Sequence, residues 1–400
     1  MRVLIASDLH WPTINGIATF GDNLASGLVT AGHDVAVVAP SQTGRPYEEM
    51  HGNYQIFRTS SLIFPFYQNL RVSVSPQSEI KKIVKQYNPD VIHVQTPLGV
   101  GMGAIAAARK FNVPLVATNH SMSENLIDNL KLLAPFAKPI DRILREFGSR
   151  FYSYADYVTL PTMSAISMLK PDSFAKPYAA ISNGVDLERF QPGPSDPGLR
   201  ERFGLAAKLP VVMYLGRLDA EKHISILVKA AAAAMQKQPF QVVIVGSGND
   251  LDRLEDLAGE LGISQHVVFT GRLDEDDKPA ILREADIFVM PSPAELQSIA
   301  TLEAMASGAP IIVVNAGAVY ELCEEGKNGY LFAVDDVTDL AGKLTQMLAS
   351  GKKLQDMSRH SVEIAHRHDL GRTISAYTDL YVKVAHEYRP SPSKLTSFTR

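Results

Sequence analysis

Short runs of β-branched and aliphatic residues recur along the whole chain, each followed by a helix-length stretch. Residues 3–6, 35–38, 91–94, 115–118 and 157–160 form one series, and 211–215, 241–245, 267–269, 286–290 and 311–314 form a second. Runs of four or five apolar residues are too short for helices. Without polar alternation, they fit strands buried on both faces. Strands that alternate with helices predict parallel sheets covered by helices on both sides. The rhythm breaks once, at the densest Pro/Gly stretch: Pro192, Gly193, Pro194, Pro197 and Gly198. The expectation is an α/β chain of two doubly wound domains, 1–187 and 209–370, joined by a linker at 188–208. Two such domains place a cleft between them, with the carboxyl ends of the strands facing it. Residues 389–400, rich in Pro, Ser, Thr and Lys, are expected to be a disordered tail.

Composition supports two cores, because 400 residues with 46% hydrophobic side chains exceed one typical domain. The net charge of −4 argues against a nucleic-acid partner. It is uneven: residues 1–190 hold 17 Lys/Arg against 15 Asp/Glu, so the acidic excess lies in the second half. Cys323 is the single cysteine, which excludes an intrachain disulfide and a cysteine metal cluster. Met1 leads straight into an apolar run without a signal-peptide layout, and no apolar run reaches ~20 residues. A cytoplasmic protein is expected, at most peripheral to a membrane.

The segment after 286–290 carries the most chemistry. Pro291 and Pro293 stop the strand, Ser298 is a good helix N-cap, and Gly308 followed by Pro310 closes the helix. Such a corner gathers unpaired N–H groups and the positive end of a helix dipole, which suits a phosphate-bearing ligand. Glu295 stands in the loop and Glu303 one turn into the helix, so both can reach hydroxyls on that ligand. Arg217 and Lys222 follow the strand 211–215. They offer a planar fork and a point charge that suit a diphosphate, although a solvated loop would look the same. Gly246, after 241–245, allows a backbone to approach a ligand or merely turns the chain tightly. Gly16, after the first strand, permits close approach at a helix start, or belongs to an ordinary loop. His120 ends the run 115–118, where it can polarise a hydroxyl or be structural. Trp11, the only tryptophan, and Asn15 precede Gly16; with His120 they are candidate acceptor contacts.

Two further stretches need a reading. Gly99, Gly101 and Ala104 match a loose dinucleotide fingerprint. They do not open the first βα unit, however, and the next strand ends in Asn119-His120 rather than in an acid. Close helix–sheet packing is the expected use of these glycines. Residues 130–151 place Ile140, Ile143, Leu144, Phe147 and Phe151 at helical spacing, with Lys138, Arg142 and Arg145 off that stripe. Such a helix can lie on an anionic membrane surface or pack on its own sheet. The aromatic stretch 62–67 is a candidate for the same face or for an acceptor pocket.

Several ordered motifs now converge. The pair Glu295 and Glu303, followed by Ala304-Met305-Ala306-Ser307-Gly308-Ala309-Pro310, is one. Gly216-Arg217 with Glu221-Lys222 is another, and Ile181-Ser182-Asn183-Gly184-Val185-Asp186 with Phe190 a third. With them the chain resembles the retaining GT-B glycosyltransferases of family 4 along nearly its whole length. The resemblance implies two Rossmann-like domains facing across a cleft, with the last helix, 371–388, packing back on the first. It implies a nucleotide-sugar donor, UDP-glucose before GDP-mannose, with no metal and no further cofactor. Arg217 and Lys222 would hold the diphosphate, Glu303 the ribose and Glu295 the transferred sugar. Ser298, Ile299, Ala300 and Gly246 would assist, Gly16 would approach the diphosphate, and His120 would sit by sugar and acceptor. Pro12 with Asn15-Gly16-Ile17 is similar to the subgroup that glycosylates diacylglycerol-type lipids, so a membrane-lipid acceptor is expected. A soluble or polysaccharide-linked sugar acceptor, or a nucleotide-sugar-binding scaffold without turnover, stays open. The chain departs from the family pattern after Glu295. Leu296-Gln297-Ser298 replaces a glycine-rich run, and the side chains of Gln297 and Ser298 are candidates to bond the sugar.

Overall fold

A computed structural model describes residues 1–388 apart from 14, 65–69, 75, 121–145 and 170–175. Ten of the described strands precede residue 181: β1 (Arg2–Ala6), β2 (Asp34–Pro40), β3 (Tyr47–His51), β4 (Tyr54–Thr59), β5 (Leu62–Phe64), β6 (Leu70–Val72), β7 (Val91–Val94), β8 (Leu115–Thr118), β9 (Tyr157–Leu160) and β10 (Tyr178–Ala180). Eight of them form one sheet in the order β10-β9-β8-β7-β1-β2-β4-β3, parallel except where β3 runs against β4. Six more, β11 (Val211–Leu215), β12 (Gln241–Val245), β13 (Val267–Gly271), β14 (Ile287–Met290), β15 (Ile311–Val314) and β16 (Gly329–Phe332), form an all-parallel sheet in the order β13-β12-β11-β14-β15-β16. The strand order reverses beside β1 in one sheet and beside β11 in the other, and loops at such switch points diverge to leave a crevice.

The central strands are apolar because helices cover both of their faces. Leu4, Val37, Val212 and Val289 have no exposed surface. Strands β3, β5 and β6 carry no such run. β3 is an edge strand whose exposed Glu48 discourages further pairing, while Glu49 turns to Arg58. β5 and β6 pair only with each other, three residues long. A reading built on buried runs passes over all three.

The Pro/Gly stretch is not a free linker. Phe190 is buried in the second core, and the Ser195 hydroxyl (2.8 Å) and Asp196 amide (2.8 Å) both donate to Glu284. The chain passes between domains earlier. Ile181 still donates to Leu160 of the first sheet, whereas Val185 belongs to the second core and bridges to Asp369. The C-terminal helix Leu370–Glu387 then lies on the first domain. Its Ile374, Tyr377 and Tyr381 share a core with Phe20, Leu24 and Val116. The Tyr381 hydroxyl meets His93 Nδ1 at 2.6 Å, and His93 Nε2 meets the Thr118 hydroxyl at 2.6 Å. The helix is therefore tied to β7 and β8 by polar bonds within the apolar layer.

The glycines at 99–103 serve packing. A Cβ on Gly101 would sit 1.8 Å from the Thr96 carbonyl oxygen, and one on Gly103 would sit 2.6 Å from Ile80. Most of the amphipathic stretch 130–151 lies outside the described residues; at its end Phe151 is buried in the first core. Of the stretch 62–67, Leu62, Ile63 and Phe64 are exposed on β5, and the rest lies outside the described residues. Among the described residues no helix is long and apolar enough to cross a membrane.

Candidate active site

A cleft of about 470 Å³ opens between the two sheets, walled by loops that follow β1, β11, β12 and β14. It collects Asn15, Gly16, Arg217, Lys222, Gly246, Glu295, Ser298, Ile299, Ala300 and Glu303. These residues lie far apart in sequence, and the two switch points bring them together.

The loop 291–298 is built from below. Ser298 adopts φ 67° and ψ 95°, and its hydroxyl accepts from the Thr301 amide, so it caps the helix Ile299–Ala306. The first N–H groups of that helix have no intrahelical acceptor, and Ile299 and Ala300 open on the cleft. Glu295 is fixed from behind, where its carbonyl accepts from the Ala318 amide at 2.7 Å. Gly317, at φ 60°, makes this contact feasible, since a Cβ there would meet the Pro293 and Glu295 carbonyls at 2.6 and 2.7 Å.

The two cations expected to hold phosphate, Arg217 and Lys222, are already matched to carboxylates, and so is the neighbouring Lys278. The Arg217 guanidinium is clasped by Asp219 and Glu221, both almost fully buried. Lys222 donates to Glu295 at 2.6 Å, and Lys278 donates to Glu303 at 2.8 Å. Burial raises the Glu303 carboxyl above its usual pKa, and Lys278 works against that shift. Its second oxygen, Oε2, is buried with no hydrogen-bond partner among the described residues. That leaves an acceptor without a donor beside the cleft, a role that a ligand hydroxyl can fill.

Several expectations change. Gln297 does not face the cleft: its Oε1 accepts from the Asn183 amide (2.7 Å) and its Nε2 donates to the Ser182 hydroxyl (3.0 Å). The Ser298 hydroxyl is consumed by its own helix, so neither side chain is placed to bond a sugar. Gly246 approaches protein: at φ 137° a Cβ would meet the Gly216 carbonyl oxygen at 1.9 Å. Gly16 is open, with nothing within 4 Å of the place a Cβ would take. The Asn15 side chain caps the helix Gly16–Thr30 by accepting from the Ala18 amide at 2.9 Å. Trp11 is not among the lining residues; it stacks on His51 at 4.3 Å. His120 is not among them either. Its ring packs 4.7 Å from that of Phe20, and burial pushes its pKa down to about 3. It is a neutral imidazole beneath the site rather than part of its wall.

Other lining residues were not anticipated. Arg272, Glu275 and Lys278 follow β13, and Asp8, His10 and Arg71 come from the first domain. One signal was available for the first group. Gly271-Arg272-Leu273-Asp274 repeats, letter for letter, the Gly216-Arg217-Leu218-Asp219 turn that follows β11. Asp8 caps the helix Gly99–Phe111 through the Val100 amide at 2.8 Å, and burial raises its pKa to about 6.

Residues 14–189 match the Glycosyltransferase Family 4 domain, and residues 196–363 match Glycosyl transferases group 1. The chain belongs to the family 4 glycosyltransferases. The GDP-mannose-dependent alpha-mannosyltransferase of Corynebacterium glutamicum is 29% identical over 364 residues, covering 90% of this chain and 82% of that protein. The alpha-monoglucosyldiacylglycerol synthase of Streptococcus pneumoniae is 26% identical over 371 residues, covering 90% and 81%. The fold of this family 4 transferase superposes on sucrose-phosphate synthase of Thermosynechococcus elongatus with a TM-score of 0.81 at 21% identity, covering 96% and 98% of the two chains. It is the GT-B arrangement of two Rossmann-like domains.

Proposed function

We propose that this glycosyltransferase moves a hexose from a nucleotide-sugar to a membrane lipid, diacylglycerol or a glycolipid, with retention of configuration and without a metal. The observation that carries the reading is the meeting of Arg217, Lys222, Glu295, Glu303 and a helix N-terminus in one cleft. Glycosyl transfer develops negative charge on the departing diphosphate and positive charge on the sugar. Arg217, Lys222 and the amides of Ser298, Ile299 and Ala300 are fixed donors for the former, preorganised by Asp219, Glu221 and the Ser298 cap. Glu303 offers its unpartnered oxygen to the ribose hydroxyls. Glu295 positions the sugar, and Gly16 lets the first domain reach the diphosphate when the cleft closes and excludes water. The leaving phosphate takes the acceptor proton on the same face, so Glu295 need not be a nucleophile.

UDP-glucose is the favoured donor. GDP-mannose is the second reading, favoured by the name of the corynebacterial relative. The lipid acceptor draws support from the pneumococcal synthase and from exposed apolar residues near the cleft, and it implies work at the inner face of the cell membrane. Incubating the protein with a panel of nucleotide-sugars and extracted membrane lipids, read by mass spectrometry, tests donor and acceptor together. A new hexosyl-lipid with the anomeric configuration of the donor is expected. Transfer to soluble sugars alone, or an inverted product, would overturn the corresponding part. Glu295→Gln should lower kcat by about 100-fold while nucleotide affinity stays nearly intact, whereas Arg217→Ala should weaken both.

A further inference from the structure

Two arginines line the first-domain wall of the cleft, and they differ in their surroundings. Arg58 is buried and saturated: it pairs with Glu49 at 2.7 Å and donates to the carbonyls of Pro40 and Trp11. Arg71 meets no carboxylate among the described residues. Its Nε donates to the Ser61 hydroxyl at 3.0 Å and its Nη2 reaches the Ser61 carbonyl at 3.5 Å, while the Ser61 hydroxyl is anchored to the Ser41 carbonyl at 2.6 Å. The guanidinium is thus held in place by neutral groups and keeps its full charge towards the cleft. On the opposite wall Arg217, Lys222 and Lys278 are each matched to carboxylates, and Arg272 meets none among the described residues.

Arg71 also has an unusual neighbour. In the β5–β6 hairpin it stands directly opposite Ile63, and paired residues of a ladder share a face. Ile63 is 55% exposed, and Leu62 and Phe64 beside it are exposed as well. The β5–β6 pair therefore presents a fixed cation on the first-domain wall of the cleft with exposed Ile63 on the same face, while Leu62 and Phe64 lie on the opposite face.

We propose that the β5–β6 pair reads an anionic amphiphile: the acceptor carries a carboxylate or phosphate that Arg71 binds, with its hydrocarbon part against Ile63 on the same face. The apolar half rests on the lipid-acceptor reading above; the anionic half does not. An uncharged acceptor would leave Arg71 desolvated without a counter-charge on closure, and a charge-assisted bond is roughly twice as strong as a neutral one.

Matched acceptors in neutral detergent micelles test it: glucosyl- against glucuronosyl-diacylglycerol, and diacylglycerol against phosphatidylglycerol. In at least one pair the anionic member should be preferred by about tenfold or more in kcat/KM. Arg71→Ala should bring that ratio close to one, and Arg71→Lys should keep part of it. Arg71→Gln, which removes the charge but retains a donor for Ser61, serves if the alanine variant does not fold; melting temperature and nucleotide binding report folding. Which pair responds tells carboxylate from phosphate. Neutral members used as well as anionic ones, or a preference that survives Arg71→Ala, would overturn the proposal. If no lipid is accepted, methyl glucuronoside is compared with methyl glucoside. A preference for the acid that depends on Arg71 refutes the lipid reading and sustains the anionic one, and its absence refutes both.

Discussion

At the scale of single residues, the two glycines expected to approach a ligand part company. Gly16 has open space where a side chain would begin, and Gly246 has a carbonyl oxygen 1.9 Å away at a backbone angle that side chains rarely adopt. Gly16→Ala is therefore expected to leave the melting temperature within about 1 °C of the parent while raising the donor KM. Gly246→Ala should cost at least about 2 kcal/mol of stability. Chemical denaturation of the two variants checks the contrast, and equal stability losses would mean that the turn after β12 is looser than described. The same comparison shows why glycine spacing is a weak signal. Sequence position put both glycines after a strand, and only the neighbouring chain decides whether the missing Cβ serves a ligand or the protein itself.

At the scale of elements, the loop between β14 and the helix Ile299–Ala306 carries opposite duties on its two sides. Glu295 and the helix start face the cleft, while Gln297 is turned inward to Ser182 and Asn183 at the crossing between domains. The Leu296 carbonyl accepts from the Thr162 hydroxyl of the first domain at 3.0 Å, so this loop touches both domains. Gln297→Leu leaves the Asn183 amide without its acceptor, while the Ser182 hydroxyl keeps His368, and a loss of about 1–3 kcal/mol is expected. Ser298→Ala removes a cap worth about 1 kcal/mol. Urea titrations of both variants measure these values. A Gln297→Leu protein as stable as the parent would show that the knot is replaceable by packing.

At the scale of the whole molecule, burial of imidazoles sets a pH dependence. Burial holds His10, His93 and His120 neutral, each pushed down to about 3. The unfolded chain protonates them below about 6.5, whereas the folded chain does not until about 3, so stability falls as pH drops through that window. The slope per histidine is about 1.4 kcal/mol per pH unit. Asp8 acts the other way: its pKa is raised to about 6, so the folded state takes up a proton there before the unfolded state does. Burial also lowers His33 and His368 and raises Asp156, Asp286 and Glu303, and five imidazoles against four carboxyls predict that melting temperature decreases between pH 7 and pH 5, measurable by calorimetry. A flat profile would mean that these rings are hydrated in solution.

What the sequence determined by itself is local and repetitive. Runs such as 3–6 and 211–215 are buried on both faces, and burial on both faces leaves them no polar positions, so strands, alternation and the two-domain plan can be read directly. Pro291, Ser298 and Gly308 likewise state where one helix begins and ends, because capping acts over a few residues. The exposed edge strands stayed hidden, since a half-wet strand has no such run. Tertiary structure decided which charged residues meet. Lys278 finds Glu303, Lys222 finds Glu295, and Arg71 finds no carboxylate among the described residues, because ion pairing depends on distances of a few ångströms between loops far apart in the chain. It also decided which groups turn away: Trp11 to His51, Gln297 to the crossing, and His120 under Phe20. A residue's type limits what it can bind, but its orientation comes from packing, which no local pattern encodes.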